Sequence, residues 1–135
     1  MKPMVMVLCA LLWCTGVAVT QESDWLSGTW NGIRKGVTSS APGSDTVLRL
    51  HYNPATKVVT GEGDASNRRI ANSNFTETVL EGSFFDGDKG VLILKQSGGI
   101  TDGMIRKYIM ERKRDGRLYG YSDDQKIRVT IEFEK

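Results

Sequence analysis

From Gly28 onward the chain is divided into short alternating runs by turn residues that recur every 8–15 positions. No segment is long and periodic enough for a helix. That punctuation confines the fold to all-β solutions. The runs cover residues 28–35, 46–52, 58–63, 75–85, 91–95, 104–112, 118–121 and 127–133. Asn53-Pro54-Ala55-Thr56 is a turn, because Pro fixes φ and the preceding Asn tolerates turn geometry. Asp86-Gly87 and Asp115-Gly116 are tight hairpin signals. Alternation puts Leu48, Leu50 and Tyr52 on one face of the second run, and Ile127, Val129, Ile131 and Phe133 on one face of the last. In the fourth run it groups Thr78, Leu80, Gly82 and Phe84 on the side assigned inward. Eight strands joined mostly by hairpins predict an eight-stranded antiparallel up-and-down (meander) β-barrel, whose interior holds side chains or one small ligand. An open two-sheet sandwich is the alternative.

Residues 1–20 read as a signal peptide. Lys2 is followed by an apolar run over residues 4–13, and the small residues Ala18 and Thr20 set a cleavage site before Gln21. A cut after Ala18 fits the same rule. The run is shorter than the roughly 20 apolar residues that span a bilayer, so cleavage is expected rather than anchoring. The remaining 115 residues, 21–135, suffice for a single domain with its own core. Cys9 and Cys14 both fall in the leader. The mature chain therefore has no disulfide, no thiolate nucleophile and no Cys-ligated zinc. With Lys2 removed, 17 basic residues face 16 acidic ones. Such a balance predicts neither a nucleic-acid partner nor a membrane-surface one, and no stable membrane insertion. The expected location is extracellular.

Three motifs carry a family resemblance. Gly28-Thr29-Trp30 has the Gly-X-Trp form of a calycin first strand, Val59-Thr60-Gly61 ends a following hairpin arm, and Val79-Leu80-Glu81-Gly82 is similar to a fourth-strand pattern. The chain thus resembles the calycins, which include lipocalins, fatty-acid-binding proteins and avidins, and among these it looks most like avidins. The resemblance implies a calycin-like barrel with Trp30 plugging its closed end. Leu92-Ile93-Leu94-Lys95 stands where an avidin carries a Trp-Lys pair, and the mature chain has only Trp25 and Trp30, so biotin is not implied. Arg128 is by position the counterpart of a late calycin Arg, although its parity turns it outward.

The chemistry-bearing residues are sparse. His51 is the single histidine, and no Gly-X-Ser-X-Gly elbow accompanies it, so an enzyme, in particular a hydrolase, is not expected. Asp86, Asp88, Asp123 and Asp124 lie at turns, where solvated turn chemistry accounts for them, and no metal or cofactor is expected. Arg112-Lys113-Arg114, Arg117 and Arg68-Arg69 read as a solvated rim. Arg34 shares parity with Trp30. A buried Arg must be paired, either with an acidic side chain or with a ligand carboxylate, sulfate or phosphate. Trp30, Arg34, Leu50, Tyr52, Phe84, Tyr108 and Met110 are the candidate ligand-binding residues, and the same side chains would equally fill a solid core. Asn74-Phe75-Thr76 is a glycosylation sequon. These features lead to a secreted, non-enzymatic protein that holds a small apolar or amphipathic ligand in a barrel. The alternative is a filled barrel whose loops, at 36–45, 64–74 and 96–103, bind a protein or glycan partner.

Overall fold

The computed structural model describes residues 24–36, 44–67, 74–99, 102–123 and 129–135. Residues 1–20, expected to be a leader, and Arg68, Arg69, Asp124, Ile127 and Arg128 lie outside the described residues. Nine strands follow one another: β1 (Gly28–Gly36), β2 (Ser44–Asn53), β3 (Val58–Asn67), β4 (Asn74–Val79), β5 (Phe84–Asp86), β6 (Lys89–Ser97), β7 (Ile105–Arg112), β8 (Leu118–Ser122) and β9 (Val129–Glu134). Every pairing is antiparallel, and the ring runs β1-β2-β3-β4-β6-β7-β8-β9 and back to β1. The expected eight-stranded meander is therefore a closed barrel rather than an open sandwich, with β5 as one extra strand. Closure leaves this ring without an exposed edge for another chain to pair with.

The fourth run departs from expectation. The predicted single strand over 75–85 is split into β4 and β5, and Leu80–Ser83 bridges the gap. Gly82 there adopts φ +100°, a backbone region that favours glycine. The Ser83 hydroxyl donates to the Leu80 carbonyl and accepts from the Ile93 amide, both at 2.9 Å. Together with the backbone bonds from the Leu80 amide to the Ile93 carbonyl and from the Val59 amide to the Ser83 carbonyl, this side chain carries the wall across the break. Beyond the break, β5 pairs with β3 through Val58 and Phe84, and with β6 through Phe84 and Val91.

The parity assigned to this run is also corrected. Phe75, Glu77, Val79 and Phe85 are buried, whereas Phe84 is 45 % exposed on the outer wall. Leu80 and Phe84 do not take the inward parity because an acid on the other face enters the core: Glu77 is buried there with Arg34 as its partner.

The closed end is apolar and dense. Leu26, just before β1, is fully buried, and its carbonyl accepts from Trp30 Nε1 at 2.7 Å. Trp25 packs edge-on against both Trp30 and Phe85, with centroids 6.3 and 5.7 Å apart. The Tyr52 hydroxyl donates to the Phe85 carbonyl at 2.8 Å. Full burial of each such large apolar side chain stabilises the fold by about 1.5–3 kcal/mol. Trp30, Leu50, Met110, Leu118, Ile131 and Phe133 continue one cluster up the inner wall. A methyl group at Gly120 would collide with Met110 Sδ, so this half of the barrel holds no spare volume beside that strand.

Candidate functional site: the polar layer beneath one rim

The strand directions set the two ends apart. The short turns at 54–57, 87–88 and 113–117 lie at the closed end. The opposite end receives the last residues of β1, β3, β6 and β8 and the first residues of β2, β4, β7 and β9. Four connections therefore leave from one rim.

Just below that rim the barrel lining changes from apolar to polar. Arg34, Thr46, Glu77, Gln96 and Ser122 are all buried there. Each follows from strand alternation. Arg34 is four residues past Trp30 on β1, Thr46 two before Leu48 on β2, and Gln96 two past Leu94 on β6. Arg34 and Glu77 form the centre, 5 % and 1 % exposed. Arg34 Nη2 donates to both Glu77 oxygens, at 2.8 and 2.7 Å, and Thr46 Oγ1 donates to Oε1 at 3.1 Å. Small residues make the reach possible. Gly63 of β3 stands in register between Leu48 and Glu77, and Ala65 between Thr46 and Phe75, so no bulky side chain of β3 blocks the crossing.

The guanidinium also lies between two rings, with Cζ 5.9 Å from the Phe75 centroid and 5.6 Å from that of Tyr108. Burial disfavours the Arg34 charge. Attraction to Tyr108 and to the Glu77 carboxylate outweighs that cost and holds the guanidinium above its ordinary pKa. Tyr108 adds to this through a polar contact between its hydroxyl and the guanidinium that falls short of full hydrogen-bond geometry. The consequence is a set of unmatched groups. Arg34 Nε, Arg34 Nη1 and the Tyr108 hydroxyl are all buried and have no hydrogen-bond partner among the described residues. Native interiors rarely leave such groups unpaired, and each costs free energy unless a ligand or ordered water meets it.

The residues singled out from sequence are distributed as follows. Trp30, Leu50, Tyr52 and Met110 belong to the packed closed half, and Tyr108 and Arg34 to the polar layer. Phe84 lies outside. Asn74 is exposed as the first residue of β4, at that rim. His51 is exposed on the outer face of β2, opposite Thr60 of β3. The basic run at the closed end is solvated and locally paired, with Lys113 near Glu111 and Arg117 near Asp115, Glu132 and Glu134. No group of three His, Cys, Asp or Glu suited to a metal occurs among the described residues. Two outer-wall clefts are also present: one of about 240 Å³ lined by Ile33, Tyr119 and Glu132, and one of about 460 Å³ lined by Val47, Asp64 and Thr76.

Sequence reasoning missed Glu77, Thr46, Gln96 and Ser122. A signal for Glu77 was available. A buried Arg34 demands an acid, and Glu77 sits between Phe75 and Val79 on one strand face. Comparison with protein-family models, with curated proteins and with solved structures returns no match for this chain. The closed barrel is compatible with a calycin-like fold, and its function has to be argued from the site.

Proposed function

We propose that the protein is a secreted, non-enzymatic, calycin-like binding protein that takes a small apolar or amphipathic molecule at the open end of its barrel. One observation carries this reading: among the described residues, three buried donors on Arg34 and Tyr108 have no hydrogen-bond partner just below the rim from which four connections leave. A pocket that is mainly apolar with a few convergent polar groups is the usual form of a small-molecule site. The guest's polar head would meet these donors, and Phe75 and the Tyr108 ring would support its apolar body. The dense closed half restricts the guest to the upper barrel, so Trp30, Leu50, Tyr52 and Met110 would form its floor rather than its walls. Export rests on the leader-like residues 1–20. Glycosylation at the exposed Asn74 belongs to the same proposal.

Native mass spectrometry of protein purified from its own secretion medium, followed by organic extraction, tests this reading. A stoichiometric small molecule retained by the wild type and lost from Tyr108→Ala is the expected result. A clean apo mass, with no uptake from a lipid and metabolite panel, would overturn it.

The packed closed half favours a second reading, in which the barrel is a rigid scaffold and its rim segments bind a protein or glycan. Replacing 68–73 with a short turn would then abolish partner capture, whereas Tyr108→Ala would only alter stability.

A further inference from the structure

The charge balance of the polar layer specifies the kind of head group it can take. We infer that the open-end site selects a neutral hydrogen-bond acceptor, such as an amide, ester or ketone carbonyl, over a carboxylate. This inference rests on the binding reading above.

The argument begins with the buried charges. Among the described residues, Arg34 and Glu77 are the only fully charged side chains counted as buried. They neutralise each other through two short hydrogen bonds, both from Nη2. The attraction that a lone buried Arg would exert on an anionic guest is therefore already satisfied by a side chain 43 residues away in sequence. Nε–H and Nη1–H remain, on the edge of the guanidinium that Glu77 does not use, together with the Tyr108 hydroxyl. A carbonyl oxygen has two lone pairs and can accept from two such donors without bringing a charge. A carboxylate could accept the same bonds, but it would leave the layer with one uncompensated buried negative charge beside Glu77. That is costly in a site removed from water. Arg106 does not restore the balance. It lies two residues nearer the rim on β7, is partly exposed, and directs Nη2 to Met104 Sδ at 3.2 Å, so solvent weakens its pull on the layer.

Two probes of equal length, decanamide and decanoate, separate the possibilities when titrated calorimetrically at pH 7.5, where the acid is ionised. The wild type is expected to bind decanamide at least about tenfold more tightly than decanoate. Glu77→Gln removes the internal anion and should reverse the order, with decanoate gaining about tenfold and decanamide moving by less than about threefold. Should that variant not fold, Tyr108→Phe provides the second test. It removes one donor and only a weak polar contact with Arg34 in the apo protein, so decanamide should weaken by about tenfold while the melting temperature changes little. Tighter wild-type binding of decanoate would overturn the preference for a neutral head and leave the binding reading in place. Equal affinities unmoved by Tyr108→Phe would also overturn it. Failure of both probes to bind would instead overturn the open-end site itself.

Discussion

The Arg34–Glu77 pair lends itself to a double-mutant cycle with a distinctive outcome. Both side chains are at most 5 % exposed, and among the described residues the only other hydrogen bond at the Glu77 carboxylate comes from Thr46. Glu77→Leu strands a buried guanidinium, and Arg34→Met strands a buried carboxylate. Each single change should therefore destabilise the fold by about 3–5 kcal/mol, the usual cost of leaving one buried charge without its partner. At about 4 °C per kcal/mol for a domain of this size, melting falls by about 12–20 °C. The double variant Arg34→Met/Glu77→Leu removes both charges and fills the space with apolar atoms. It should lie near wild-type stability or exceed it by about 1–4 kcal/mol. Urea unfolding followed by circular dichroism supplies all four corners of the cycle, provided the slopes agree. A double variant that loses the sum of the two single costs would refute the reasoning. So would single variants within about 1 kcal/mol of wild type.

Two further predictions concern the packed half. Trp30→Phe loses the bond from Nε1 to the Leu26 carbonyl and leaves a void at the closed end, so it should cost about 2–4 kcal/mol by denaturant unfolding; a loss under about 1 kcal/mol would mean that the plug contributes little. Gly120→Ala sets a methyl against Met110 Sδ and should cost about 1–3 kcal/mol, and less when introduced into Met110→Ala; an equal cost in that background would place the strain elsewhere.

Much of the architecture was legible in the sequence because strand alternation is a local property. Leu48, Leu50 and Tyr52 face inward as their spacing requires, and so do Val129, Ile131 and Phe133. The break at Leu80–Ser83 was not legible, since it depends on the Ser83 hydroxyl meeting Ile93 of a neighbouring strand. The same limit governed Phe84 and Glu77. Hydrophobicity alone turns an acid outward, and only a partner from β1 makes the inward choice affordable. Arg34 was readable as a buried cation in need of an anion, because it shares a face with Trp30. That the anion came from the chain itself is a fact of three-dimensional closure. Whether the interior was filled could not be read at all, because packing depends on volumes that meet across the barrel, such as Met110 lying against Gly120.

The first and last strands pair in the wall, and the Lys135 ammonium donates to the Trp25 carbonyl at 2.8 Å. Both ends of the described chain therefore emerge side by side, beneath the plug and opposite the polar rim. A tag, a fusion or a surface linker attached at either terminus would leave the rim pointing away from the support. The same adjacency makes the molecule a natural subject for circular permutation, with a short bridge from 135 to 24 and new termini cut at the 54–57 turn. Such a permutant would tie the plug down from both sides and leave the rim's four connections intact.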